Sequence, residues 1–304
     1  MIGEFMLLAL LAAAASLLAQ TAGPLEPRRQ PASGRATFRS DADLVLIPVD
    51  AADRRGRFVD GLKAADFRVA DDGAPVPVQS CSVAAGPLSA VVVLDESYSM
   101  RDMQTASRAA LDRFLQSTGP GDTVSVITVR DRVQVAVDAT NDADEVIRRL
   151  GISRADGETA LLDGVYLGLH MLMKGKGPRR LLLVLSDGGD NASRYGPRDI
   201  ESAALEADAR IFAIATGTPM PLGEEYAGRD VLSRLARETG GRFFAAKNPT
   251  DMAAAVDRID AGRYYLLGFA PRGDRDGRPR RVEVKLVGSR AGVKLSWRRH
   301  YRRE

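Results

Sequence analysis

The chain has 304 residues, 45% hydrophobic and 27% charged, the proportions of a globular protein long enough to bury a core without disulfide or metal staples. A single cysteine, Cys81, excludes an intrachain disulfide, and two histidines, His170 and His300, leave little room for a His-rich metal site or a histidine-based triad. The formal charge is only +3, but thirteen Lys or Arg against four Asp or Glu fall from Arg263 onward, so the rest of the chain is net acidic.

Met6–Leu18 is almost wholly Leu and Ala, is short for a bilayer span, and runs into the small residues Ala19-Gln20-Thr21-Ala22-Gly23. It predicts a secretory signal peptide over residues 1–22 and hence an exported protein, periplasmic or secreted. The first five residues carry Glu4 and no basic residue, so an uncleaved N-terminal anchor is the alternative unless translation starts at Met6. Residues 23–35, rich in Pro, Arg and Gly, read as a linker. Residues 36–88 read as a β region of about four strands. The first is the apolar run around Leu44–Val49. A hairpin turn at Asp71-Asp72-Gly73 leads to a returning strand, Val76–Val83, with Cys81 on it as a buried, inert thiol.

Val91-Val92-Val93-Leu94 is a continuous apolar run, the pattern of a strand covered on both faces of a parallel sheet. Such a strand delivers the next residues to the carboxyl edge of the sheet, where open α/β folds bind ligands. Those residues are Asp95-Glu96-Ser97-Tyr98-Ser99. Asp95, Ser97 and Ser99 are hard oxygen donors two residues apart, a chemistry that suits Mg²⁺ or Mn²⁺ and disfavours structural zinc. Alone the pattern is weakly specific. Ser97 or Ser99 capping the next helix is the alternative, and the position after a buried strand favours the metal reading.

That helix shows an apolar face of Ala106, Ala109, Ala110, Phe114 and Leu115. Strands at Thr123–Val129 and Val133–Val137, joined by Arg130-Asp131-Arg132, predict a hairpin with an antiparallel edge strand. Asp142–Leu150 is a short helix. Thr159 heads another, with Leu162, Val165, Leu169, Leu172 and Met173 as its face, and an ordinary first-turn role is the alternative for this threonine. Leu181–Leu185 is a second apolar strand running into Ser186-Asp187-Gly188, so Asp187 repeats the placement of Asp95; a turn role is its alternative. Asp190 and Asn191 are expected to shape the loop. Helices at Asp199–Arg210, Asp230–Thr239 and Met252–Ile259 alternate with strands at Ile211–Thr216 and Arg242–Ala245, the order of a doubly wound α/β sheet over residues 89–262. Strands at Tyr264–Ala270, Arg281–Val287 and Val293–Trp297 make residues 263–304 a C-terminal β region. It is expected to pack with the N-terminal one into a small β-sandwich, with the core inserted between them.

Together Asp95-x-Ser97-x-Ser99, Asp156-Gly157-Glu158-Thr159 and Asp187-Gly188 resemble the three loops of the von Willebrand factor A (VWFA) domain and its metal-ion-dependent adhesion site (MIDAS). The flanking Val59–Gly73 and Tyr264–Pro271 segments resemble those of exported bacterial "VWFA-related" proteins. Glu158 departs from the family, where glycine is common. The resemblance implies a Rossmann-like fold and one divalent cation, Mg²⁺ or Mn²⁺, held by Asp95, Ser97, Ser99, Thr159 and Asp187. It further implies an adhesion or protein-binding role, without catalysis, toward a protein ligand presenting an Asp or Glu carboxylate. Asp102-Met103, Gly189–Pro197 and Thr218–Gly228 would frame the site, and in some family members the last helix, here Met252–Ile259, shifts on binding. Two other readings stay open. One is metal-assisted hydrolysis. The other is binding of envelope polysaccharide or lipid headgroups by the basic Arg298–Arg303 tail, against a charged, solvated β edge. Export argues against nucleic acid.

Overall fold

The computed structural model describes residues 44–151, 153–175, 177–217, 225–259, 263–288 and 292–303. The expected signal peptide, the linker and the first residues of the N-terminal β region lie outside these. In chain order the strands are β1 (Val45–Ala52), β2 (Phe67–Asp71), β3 (Ala74–Val76), β4 (Ser80–Val83), β5 (Leu88–Asp95), β6 (Thr123–Val129), β7 (Val133–Thr140), β8 (Arg179–Ser186), β9 (Arg210–Thr216), β10 (Phe243–Ala246), β11 (Tyr265–Phe269), β12 (Arg280–Leu286), β13 (Lys294–Trp297) and β14 (His300–Tyr301). The helices are α1 (Gln104–Gln116), α2 (Ala143–Leu150), α3 (Leu161–Lys174), α4 (Pro197–Ala207), α5 (Glu225–Glu238) and α6 (Pro249–Asp257).

Six strands form the central sheet in the order β10-β9-β8-β5-β6-β7, all parallel except β7, which returns along β6 as the edge strand that the three-residue turn predicts. Successive side chains of β5 alternate between the two faces. Ala90, Val92 and Leu94 pack toward α1, α2 and α6, whereas Val91 and Val93 pack toward α3, α4 and α5. Both faces are therefore covered, which is why the strand is apolar throughout. Each fully buried Val or Leu there contributes about 1.5–3 kcal/mol of burial free energy. The apolar face of α1 is Ala106, Ala110, Leu111, Phe114 and Leu115. Ala109, expected on that face, is exposed, and Leu111 takes its place.

The flanking strands build two further antiparallel sheets, β13-β1-β11-β4 and β14-β12-β2-β3. Each mixes strands from before and after the core: β1 pairs with β11 (Ile47↔Leu267) and β2 with β12 (Val69↔Val284). Their inner faces share one apolar cluster that includes Ile47, Val49, Val69, Val284, Leu267 and Phe269. The expected sandwich thus forms, with the α/β core as an insertion between its halves.

Two strand expectations need correction. Val76–Val83 is not one strand. Pro77 has no N–H to donate and ends β3, which pairs with β2, and the chain then crosses to pair β4 with β11 in the other sheet. Cys81 on β4 is only half-buried, its Sγ 3.8 Å from the Leu62 carbonyl, and burial pushes its thiol pKa up. The basic tail, for its part, adds a strand, β14, rather than only a charged edge. Arg298 pairs with Asp208, His300 with Glu238 at 2.9 Å, and Arg302 with Glu206 at 3.9 Å. Sandwich and core also meet where Arg242 pairs with Asp50 at 3.3 Å and Ser296 Oγ donates to the Gly241 carbonyl at 3.1 Å. Among the described residues no helix is long and apolar enough to cross a membrane.

Tyr301 is buried, its ring set edge-on to Phe269, and its hydroxyl donates to Asp71 Oδ2 at 2.9 Å. Tyr301→Phe removes a donor from a buried carboxylate and is expected to cost about 1–3 kcal/mol. Urea unfolding measures this, and an unchanged midpoint would show that the tail does not hold the sandwich.

Candidate metal centre

The parallel ladder decides which side chains meet. Leu94 on β5 pairs with Leu185 on β8, so Asp95 stands beside Ser186, with Asp187 next in the chain. Asp95 is completely buried. Its Oδ2 accepts from Ser186 Oγ at 2.5 Å and its Oδ1 from Ser97 N at 2.9 Å; Ser186 Oγ in turn accepts from Gly188 N at 2.9 Å. Burial pushes the Asp95 pKa up to about 6, partly offset by the hydrogen bonds from Ser186 and Ser97 and reinforced by the negative charge of Asp187.

Ser97 and Ser99 do not cap a helix. A 3-10 turn, Tyr98–Met103, comes after Ser97, and the N-cap of α1 is Met103, neither start having a side-chain cap. The two hydroxyls lie 3.2 Å apart, with Ser97 buried and Ser99 exposed. Thr159 likewise caps no helix: the N-cap of α3 is Ala160, without a side-chain cap. Its backbone is held instead, Thr159 N donating to Asn191 Oδ1 at 2.8 Å and its carbonyl accepting from Asn191 N at 3.0 Å. Asp187 keeps part of its turn role, since Oδ1 accepts from Gly189 N at 2.9 Å. Gly189 also shows how the second and third loops converge: a Cβ on it would stand 3.3 Å from Asp187 Oδ1 and 3.9 Å from Thr159 Oγ1, filling the space between them. The first and second loops are knit by Tyr98 N to the Gly157 carbonyl at 3.1 Å and Asp156 N to the Glu96 carbonyl at 3.0 Å. All five expected residues thus lie at the carboxyl end of the central strands.

Asp190 and Asn191 shape the loop, as expected. Asp190 Oδ1 accepts from Leu162 N at 3.1 Å and Ser193 Oγ at 2.5 Å. Glu158 is exposed. Of the framing loops, residues 218–224 lie outside the described residues. Sequence reasoning missed the support beneath the site. Glu96 is buried, its Oε1 receiving Arg108 at 2.6 Å and its Oε2 Arg130 at 2.9 Å. Burial opposes its charge, but hydrogen bonds from Ser153, Arg108 and Arg130 outweigh that and hold its pKa below the usual value. An acid directly after a buried strand, with an arginine in the neighbouring β6–β7 turn, was the available signal. Ser186 was missed too; only the β5–β8 register reveals it.

Residues 90–189 match the von Willebrand factor type A domain family. An uncharacterized protein of Synechocystis sp., sll0103, is 24% identical over 195 residues. That alignment takes in 60% of this chain and 45% of the Synechocystis protein, so the chain spans less than half of that relative. A von Willebrand factor type A structure from Catenulispora acidiphila superposes with a TM-score of 0.50 at 13% identity, covering 85% of this chain and 73% of that one. The fold is therefore a von Willebrand factor A-like central sheet with two small antiparallel sheets added by the flanking strands. Domains of this family are often protein-binding or adhesion modules and commonly bind a divalent cation.

The residues present fit such a cation. The donors are all oxygens, the serine and threonine hydroxyls are not consumed by helix capping, and the buried Asp95 carboxylate forms no ion pair among the described residues. Among the described residues no cluster of three or more His, Cys, Asp or Glu has metal-site geometry; the set here holds two acids, with hydroxyls making up the rest.

The raised Asp95 pKa carries a stability consequence. A folded pKa of about 6 above the ordinary 3.8 means that this group favours the folded state below about pH 4, and that this contribution is lost as pH rises through 6. In chelator, Asp95→Asn is therefore expected to raise the melting temperature at pH 7.5, by about 1–3 kcal/mol of stability, with the gain vanishing near pH 4. A variant less stable than wild type across that range would mean that burial does not oppose the charge.

Proposed function

We propose that this chain is an exported, metal-dependent protein-binding module whose ligand is an Asp or Glu carboxylate on a protein partner. The observation that carries the reading is the uncapped set of hydroxyls, Ser97, Ser99 and Thr159, gathered with Asp95 and Asp187 at the carboxyl end of the sheet. Asp95 supplies the main negative charge, Ser97 and Ser99 neutral oxygens, Thr159 a third hydroxyl, and Asp187 a second carboxylate at the rim. Mg²⁺ or Mn²⁺ held there by few formal charges supplies an electrophilic coordination position for a partner's carboxylate oxygen. Around it, exposed Tyr98 with the Arg101 guanidinium 4.3 Å over its ring, and Tyr195 stacked on Tyr166 at 3.8 Å, present the aromatic and arginine side chains that dominate binding interfaces.

Binding fits better than hydrolysis because the neighbouring acids are committed: Asp190 to Leu162 N and Ser193, Glu96 to two arginines. Neither is placed to take a proton from water. Export rests on the composition of residues 1–22.

Calorimetric titration with Mg²⁺ and Mn²⁺ is expected to give saturable binding near one ion per chain. Asp95→Ala should abolish it, and Thr159→Ala should weaken it about tenfold or more. Equal heats in wild type and Asp95→Ala would overturn the reading.

A further inference from the structure

A second cleft lies at the free edge of β10, two strands along the central sheet from β8, and none of the five metal-site residues lines it. Its volume is about 620 Å³, and it is bounded by α5, α6 and β13. Among the described residues β10 pairs only with β9, so its outer edge carries no strand. The direction of its backbone groups comes from one hydrogen bond. Ala213 N on β9 donates to the Arg242 carbonyl at 3.1 Å, so Arg242 faces β9. Backbone groups alternate along a parallel strand, and the N–H and C=O of Phe243 and Ala245 therefore point outward into the cleft. Lys247, next in that alternation, agrees with this by donating its N–H outward to Asp251 Oδ2 at 3.0 Å.

The walls are strongly basic: Arg237, Arg242, Lys247, Arg258 and Lys294 stand against one acid, Asp251. Arg242 is paired with Asp50, and Asp251 is occupied in capping α6 with Asn248. Lys247 and Lys294 are exposed and make no ion pair among the described residues. A strand edge without a neighbour presents unpaired N–H and C=O groups, a template for a further strand. Here charge flanks it on both sides, and cations lining a strand edge select an anionic strand.

We propose that this cleft is a second binding surface, which takes an extended acidic peptide as an added strand on β10. The outward N–H and C=O of Phe243 and Ala245 give the ladder bonds. Lys247, Arg258 and Lys294 read acidic side chains on either side of it, and the exposed Ala245 leaves room for the added chain. The surface is independent of the metal centre, so it would bind whether or not a cation is present.

The test uses the mature protein and a fluorescein-labelled probe of sequence Asp-Val-Glu-Val-Asp-Val-Glu, read by anisotropy. Three control probes accompany it: the Lys-for-acid version, a version with proline at alternate positions, and a heparin fragment. Saturable binding of the acidic probe is expected, undiminished by EDTA. It should weaken about tenfold or more in Lys247→Glu/Arg258→Glu and, separately, in Lys294→Glu, all exposed side chains. The proline probe should bind at least about tenfold more weakly, because it lacks ladder donors. Equal binding of the basic probe, or no effect of either charge reversal, would overturn the proposal. So would heparin and the proline probe matching the acidic one, since that would define a general polyanion site. Binding lost in EDTA would also overturn it, moving the event to the metal centre.

Discussion

The chemistry of this chain depends on the register of one parallel ladder. Leu94 opposite Leu185 brings a buried carboxylate, Asp95, against the hydroxyl of Ser186 and next to a second acid, Asp187. A slip of one residue would send the Asp95 side chain to the opposite face of the sheet and remove the site. Packing on both faces of β5 prevents the slip, with Val91 and Val93 entering one layer of helices and Val92 and Leu94 the other. The sheet thus uses well-packed aliphatic side chains to hold, at its end, a carboxylate that burial disfavours in its charged form. A site that costs stability in the empty protein is a common feature of binding centres.

The loops above that carboxylate are fixed by buried polar braces rather than by helix caps. Glu96 draws Arg108 from α1 and Arg130 from the β6–β7 turn onto one point, and its carbonyl receives Asp156 N from the second loop. On the other side Asp163 on α3 accepts from Arg194 N at 2.9 Å and Tyr195 N at 3.0 Å, holding the third loop against the helix that Thr159 precedes. Removing both arginines would leave the Glu96 carboxylate buried and uncompensated. The hydroxyls are thereby held together at the carboxyl end of the sheet, Ser97 within hydrogen-bond distance of Ser99.

Much of this was legible in the chain because the relevant signals are local. Val91–Leu94 and Leu181–Leu185 announce strands covered on both faces, the short Arg130–Arg132 connection announces a hairpin, and the placement of Asp95, Ser97, Ser99, Thr159 and Asp187 at one end of the sheet comes from strand polarity. The pairing of the flanking β regions was legible on a different ground: a compact insertion leaves its two ends to meet. The features that escaped were set by contacts distant in sequence. Pro77 splits an apparently continuous strand because the two halves serve different sheets. Glu96 reads as an ordinary loop acid until sheet order places Arg130 beside it. The tail from Arg298 to Arg303 reads as a charged edge, yet Tyr301 within it is anchored to Asp71, 230 residues earlier. On α1 the buried positions run in two rows at four-residue spacing, Ala106-Ala110-Phe114 and Ser107-Leu111-Leu115, which takes in Leu111 and leaves Ala109 outside.

The insertion has a mechanical meaning. Helix α6 ends at Asp257, and only seven residues separate it from Tyr265, where β11 begins. That strand is held on both edges, by β1 and by β4. The last helix is therefore followed closely by a paired strand. A displacement by one helical turn, about 5.4 Å, would have to be taken up by those seven residues or drawn from the ladder of the sandwich. The chain that leaves α6 is thus fixed within seven residues to the middle of a sheet that the N-terminal strands help to build.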